Sequence, residues 1–290
     1  MNAWPALALT TSAIRCPSCD ESPSTVFRTR DEIAAELAMR DAFFARLLDG
    51  EHARDVTDVL MGTPADILRC DACDILVRDD PPDDDAFRND RYERDVLDSL
   101  HAVHAAAFRE KLVYRTLLPA GARVIEVGSY VGGFLVAARE WDWGITGVDI
   151  GRDASRFTRG LGFDVRAHPF EECGFKSESF EAVFIWNCFE QLPAPRVALT
   201  EAFRILRTRG LLVLRVPDAD FYAHCRDLAA LAHNGLLGWP HRFGFGIDAL
   251  RHLVAEHGFT LQLARRAAAI RPLRHAVKPF GWIEAGFRKE

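Results

Sequence analysis

Two groups of residues in this 290-residue chain have types and spacings that could do chemistry. Cys16 and Cys19 form one C-x-x-C pair (CPSC), and Cys70 and Cys73 form a second (CDAC). Two such pairs can supply four thiolates at tetrahedral geometry, the way zinc is held in structural sites. The second group lies in Arg123 to Ile150, RVIEVGSYVGGFLVAAREWDWGITGVDI. There, two short apolar runs end at the carboxylates Glu126 and Asp149, with Gly128, Gly132 and Gly133 between them. A turn at Gly128 and Gly132 allows close backbone approach to a ligand. Asp149 stands where an acid for ribose hydroxyls belongs, and Pro169 with Phe170 could wall a base. That is the outline of a nucleoside site.

A nicotinamide dinucleotide would use the same outline. Its fingerprint G-x-G-x-x-G needs a glycine where Tyr130 stands, however. Glu126 would repel a pyrophosphate and favour a cationic ligand. An NAD(P)-dependent oxidoreductase therefore remains an alternative, as does a non-catalytic binding module.

The elements that must position these residues are legible in the hydrophobic pattern. Val124, Ile125 and Val127 form a β-branched run suited to a buried parallel strand, followed by a helix from Phe134 to Glu140 and a strand over Ile145 to Val148. Further strands are predicted at Phe163 to Arg166, Phe180 to Trp186, Leu211 to Val216 and Phe259 to Leu263, with a last one near Gly281 to Phe287. Helices are predicted at Asp153 to Gly160, Arg196 to Leu206 and Ile247 to Glu256. This alternation predicts an α/β fold, a doubly wound, mostly parallel Rossmann-like sheet with helices on both faces. Ligands in such sheets sit at the carboxyl ends of the strands.

Residues 1–82 differ in character. The cysteine pairs read as the knuckles of a zinc ribbon, with Ile33, Leu37, Phe44 and Leu48 at helical spacing in the gap between them. The gap exceeds the usual ribbon spacing, and Asp20 and Asp74 follow the knuckles where glycine is customary. Four buried, reduced cysteines without metal fit the same pattern. A redox pair is disfavoured because neither C-x-x-C opens a helix after a strand. The charged, proline-broken stretch Asp79 to Asp85 marks a boundary. A helix from Arg94 to Leu117 is predicted next, with Val96, Leu100, Val103 and Ala107 on one face and Pro119 and Gly121 ending it, as a lid or docking helix or as one more helix covering the core. The expected division is thus 1–82, a zinc-ribbon-like module with a helical insertion; 83–118, linker and helix; and 119–290, the catalytic domain.

Composition sets bounds. The chain is 49% hydrophobic and 27% charged, with a net charge of -6, which argues against broad phosphate neutralisation and hence against a nucleic-acid partner. No apolar run approaches the roughly 20 residues needed to cross a bilayer, and Trp4 to Leu9 lacks the basic region of a signal peptide. Seven cysteines fit a reducing, cytoplasmic setting better than a disulfide framework.

The segment VIEVGSYVGGFL resembles the first motif of class I S-adenosylmethionine-dependent methyltransferases, E/D-x-G-x-G-x-G. Three further resemblances follow in order: the acid at Asp149, SFEAVFIWNCFEQLPAP at Ser179 to Pro195, and EAFRILRTRGLLVLRVPD ending the fifth strand. The paired cysteines resemble the N-terminal zinc ribbon of a bacterial branch associated with sugar and natural-product modification. The resemblance covers about Ala120 to Phe259 and implies a sheet whose last strand is antiparallel. By position it assigns Glu126, Gly128, Ser129, Tyr130 and Gly132 to the cofactor loop, Asp149 and Ile150 to ribose and adenine, and Asn187 to the methionine end. Tyr130 replaces the middle glycine, Gln191 a common histidine, and Arg209-Gly210 the usual glycine turn. The absence of a D/N-P-P-Y motif argues against adenine or glutamine N-methylation. A small-molecule acceptor is expected, with Glu190 or His241 as the base, His224 as a weaker candidate, and Trp239, Phe243 and Phe245 forming an aromatic wall over it. Cys188 is expected to be a small core residue.

Overall fold

The structure, a computed structural model, describes residues 14–47, 63–81, 84–267 and 281–290. In chain order the strands are β1 (Thr25–Arg28), β2 (Ile67–Arg69), β3 (Leu76–Arg78), β4 (Arg123–Val127), β5 (Gly144–Val148), β6 (Asp164–Arg166), β7 (Phe180–Trp186), β8 (Leu206–Pro217), β9 (Phe243–Gly244), β10 (Phe259–Ala267) and β11 (Trp282–Lys289). Seven of them form one sheet in the order β10-β11-β8-β7-β4-β5-β6. β4 pairs in parallel with both β5 and β7, and β8 continues the parallel set. β11 runs antiparallel between β8 and β10, so one strand of the seven is reversed, as expected. The order changes direction at β4, which places a crevice over the carboxyl ends of β4, β5 and β7.

Alternation along the central strands feeds two cores. Ile125, Val127, Val183, Ile185, Leu212 and Leu214 pack with Ala198, Leu199 and Ala202 of the helix Pro195–Ile205. Val124, Ala182, Phe184, Trp186 and Val213 face the other way, onto Phe134 of the helix Gly133–Glu140 and onto Phe108. Burial on both faces is why these strands read as continuous apolar runs rather than alternating ones.

The long helix predicted over Arg94 to Leu117 is two helices, Arg94–Arg109 and Leu112–Arg115, broken at Glu110 and Lys111. Its inward stripe is also rotated: Leu97, Leu100, Ala105 and Phe108 are buried, while Val103 is 44% exposed. The stripe runs at near-helical spacing through Leu97, Leu100 and Phe108, and Val103 falls off that face. This helix packs on Gly133–Glu140, and a Cβ at Gly133 would lie 2.4 Å from the Cβ of His104.

The N-terminal segment forms a smaller sheet, β1-β2-β3-β9, whose fourth strand comes from far along the chain. The helix Arg30–Leu47 crosses it, capped by Thr29, whose amide donates to Glu32 Oε2 (2.8 Å) while Thr29 Oγ1 accepts from the Glu32 amide (3.2 Å). Ile33 and Leu37 are buried as predicted. The side chain of Phe44, all of Leu48 and the stretch Trp4 to Leu9 lie outside the described residues. Cys16, Cys70, Ile75 and Val77 belong to the same core as β4, β7 and β8. Among the described residues, no helix is long and apolar enough to cross a membrane.

Candidate functional site

A cavity of about 400 Å³ opens over the carboxyl ends of β4, β5 and β7. All ten residues expected at a cofactor line it except Gly132. Gly132 instead caps the helix Gly133–Glu140 with φ +74, against Thr158, where a Cβ would come within 2.8 Å of Cγ2. Gly128, with φ +75, leaves room for Cys188; a Cβ there would lie 2.6 Å from its Sγ. Both glycines therefore serve a left-handed backbone and close packing.

Tyr130 keeps the backbone conformation that its replaced glycine would favour. Its φ is +45, in the left-handed region, where a bulky residue is uncommon. Asp149 holds it there: one carboxylate oxygen accepts from the Tyr130 amide at 2.6 Å, and the other from the Gly151 amide at 2.8 Å. Asp149 thus ties the first turn to the second. The Tyr130 hydroxyl reaches the Tyr92 hydroxyl at 3.0 Å, and its ring meets His104 edge-on.

Glu126 is buried at the cavity wall with Oε2 and the neighbouring Ser129 Oγ both lacking hydrogen-bond partners. Burial, and secondarily the charge of Asp149, push its carboxyl well above the usual range. Such orphaned atoms are costly unless a ligand completes them. Pro169 and Phe170 form the side wall beside Ile150.

Several lining residues escaped the sequence reading. Asp90, in the charged segment after the boundary, is buried and accepts from the amides of Asp153 (2.7 Å) and Ala154 (3.1 Å), capping the helix Arg152–Gly160 beside Asp149. Phe87, His104, Phe108 and Trp186 line the cavity too. Their spacing carries no local signal, because they reach the cavity only through packing of distant elements.

The aromatic loop is displaced from its expected place. Trp239, His241, Phe243 and Phe245 are all buried, and none lines the cavity. Large apolar rings there fill the core beneath the small sheet, with Phe243 and Phe245 packed beside Phe189 of the segment after β7. The structure does not bring Glu190 or His241 to the cavity wall either. Gln191 lies between: its amide lies 3.0 Å from His241 Nδ1 and also donates to Pro240. Glu190 Oε1 is 3.7 Å from the same imidazole nitrogen. Burial raises the Glu190 carboxyl to about 8 and lowers His241 to about 3, so both are neutral at pH 7. His224 is exposed at the end of the helix Ala219–His224. Cys188, expected in the core, is only half-buried and lines the cavity, and burial raises its thiol well above its ordinary value.

The four cysteines of the two pairs converge. Their Sγ atoms all lie within 4.8 Å of one another, and Cys19 and Cys70 are 3.4 Å apart. Tetrahedral zinc thiolates at about 2.3 Å from the metal would sit roughly 3.8 Å apart, so the cluster fits that ion. The two knuckles are the same turn used twice. The Asp20 amide donates to Cys16 O and the Asp74 amide to Cys70 O, and both aspartates sit in the left-handed region, at φ +61 and +57. Aspartate takes the glycine position because it tolerates that conformation better than most residues.

A glycine turn, a second-strand acid and a crevice at the reversal of this strand order define a nucleoside-binding α/β protein of the methyltransferase type. A family model for the methyltransferase domain matches residues 99–264, more than half of the chain, and the chain belongs to that family. It is an S-adenosylmethionine-dependent methyltransferase rather than a nicotinamide enzyme. Comparison with curated proteins gives no match. Among solved structures, the complex between the Haloferax volcanii Trm112 methyltransferase activator and a methyltransferase aligns with a TM-score of 0.52 at 16% identity, covering 68% of this chain and 99% of that one. A SAM-dependent methyltransferase from Thermotoga maritima aligns at 0.50 and 21%, covering 67% and 94%. One from Listeria monocytogenes aligns at 0.50 and 12%, covering 65% and 99%. At these identities the likeness is one of fold.

Proposed function

We propose that the cavity holds S-adenosylmethionine and a small-molecule acceptor. Asp149 would take the ribose hydroxyls, Ile150 and Phe170 the adenine, and Glu126, Ser129 and Asn187 the methionine end. The observation that carries this reading is the orphaned pair Glu126 Oε2 and Ser129 Oγ on the cavity wall beside Asp149. When bound, the cofactor supplies a methyl group already activated on a sulfonium. The chain's task is then alignment and exclusion of water. Phe87, His104, Phe108 and Trp186 also line the cavity, and we assign them to the acceptor. Since neither Glu190 nor His241 lines the cavity and Gln191 stands beside His241, neither would touch the acceptor there.

The four thiolates would hold a structural zinc ion, which suits a reducing compartment. The division proposed is a cysteine module over 1–82, a connection over 83–118 that contributes Asp90 and His104 to the site, and a catalytic domain over 119–290.

Calorimetric titration with S-adenosylhomocysteine tests the cofactor site. Micromolar binding is expected in the wild type, weakened at least tenfold in Asp149→Ala. No binding by folded wild type would sink the reading. Incubating a cell extract with labelled S-adenosylmethionine and enzyme tests the acceptor: label is expected in the low-mass fraction, and label in protein or RNA would overturn the small-molecule assignment.

A further inference from the structure

Asn187 follows β7 at the cavity wall in a left-handed conformation, with φ +52. One residue holds it at two points. Its amide donates to the carbonyl of Arg215 (2.9 Å), and its side-chain Oδ1 accepts from Arg215 Nη1. A guanidinium carries only donors, so the Asn187 amide must turn its oxygen to Arg215. The N–H₂ is then the end left for the cavity.

Arg215 itself is fully buried in β8, a place where an arginine is costly without a partner. In register it lies between Trp186 of β7 and Glu284 of β11. Its Nε is 3.2 Å from Glu284 Oε1, and its guanidinium lies 4.4 Å from the Trp282 ring centre. Glu284 also meets Lys111, Arg265 and the Tyr114 hydroxyl. An apolar residue at this register position would serve the sheet as well or better. The Nη1 donor aimed at Asn187 therefore points to the site rather than to the fold.

We propose that Arg215 is a positioning residue for the methyl-transfer site. It holds Asn187 in its left-handed pose, oxygen toward Arg215, so that the side-chain NH₂ is turned to the cavity and one of its N–H groups donates to an oxygen on the methionine half of the bound cofactor. This assignment rests on the cofactor reading above. Lysine cannot replace Arg215, because a single ammonium cannot meet Glu284 and Asn187 with the geometry of a planar fork. Aspartate cannot replace Asn187, because it has no N–H to present.

The test is calorimetric titration of S-adenosylhomocysteine into the wild type, R215K, N187G and the double variant. N187G should still fold, since glycine is at ease at φ +52, with a Tm lowered by the loss of Arg215's acceptor, and lose about three- to tenfold in affinity. R215K should lose a similar factor alone and nothing further in the N187G background. An equal loss in both backgrounds, or wild-type affinity in R215K, would overturn the proposal. Should R215K fail to fold, N187D carries the test: it still accepts from Arg215, so it should fold and bind as weakly as N187G, and wild-type affinity would overturn the assignment. Absence of binding by the folded wild type removes the cofactor reading and this proposal with it.

Discussion

At the residue scale, the fold has changed the ordinary ionisation of groups in and behind the cavity wall. Glu190 has both oxygens buried without hydrogen-bond partners, and its carboxyl is raised to about 8. Between the unfolded value near 4.5 and about 8, the native state holds a proton that the unfolded chain has lost. Stability contributed by this group is therefore fully present below about pH 4.5 and is lost as pH rises toward 8. Glu126 has the same sign. Replacing Glu190 with glutamine keeps the shape and removes the titration. Thermal melts from pH 6.5 to 8.5, above the range in which the buried neutral His241 contributes with the opposite sign, should show Tm falling with pH in the wild type and a flatter profile in Glu190→Gln. Identical slopes would mean that Glu190 ionises freely in the folded protein. Tyr130 and Asp149 make a related point: a residue unfit for a glycine position is kept there by one carboxylate, so Asp149→Ala should loosen the loop as well as the ligand.

At the element scale, the helix Arg94–Arg109 decides the shape of the cavity. Its buried stripe places Phe108 against Phe134 and Trp186, with ring centres 5.3 and 5.4 Å apart. Phe108→Ala should cost about 3–5 kcal/mol and weaken ligand binding, because the same ring lines the cavity. Val103→Ala, on the exposed face, should change stability by no more than about 0.5 kcal/mol. Chemical denaturation of the two variants separates the observed stripe from the one predicted through Val103. The glycine-flanked strand and turn elements were readable because each is local: a β-branched run, a breaker and a helix former follow in order. The break at Glu110 was not, since Leu112–Arg115 is a short turn whose Tyr114 docks on Glu284 more than a hundred residues away.

At the scale of the whole molecule, the cysteine module and the methyltransferase sheet share one core. Cys16 and Cys70 pack with residues of β4, β7 and β8, β3 pairs with β9, and Arg196 donates to the Ser18 carbonyl at 2.7 Å. If zinc holds the four thiolates, its removal should be felt throughout. Metal analysis is expected to find one zinc per chain. A chelator should lower the single thermal transition by several degrees, and Cys70→Ser should do the same. Two separate transitions after chelation would mean that the module folds by itself.

The sequence alone determined the parallel sheet, the glycine turn and the two cysteine pairs. Each is written in residues near one another, or in a repeated motif: glycine where φ is positive, β-branched runs where both faces are buried, and thiols in pairs. Tertiary structure alone decided which other residues meet them. Asp90 reaches the second strand's loop, Trp239 and His241 turn into the core rather than the cavity, and Arg215 finds Glu284 across a strand pair. None of these contacts is encoded locally. A polar side chain inside an apolar strand looks like a fault until the partner that neutralises it is brought alongside, and sequence spacing says nothing about that distance.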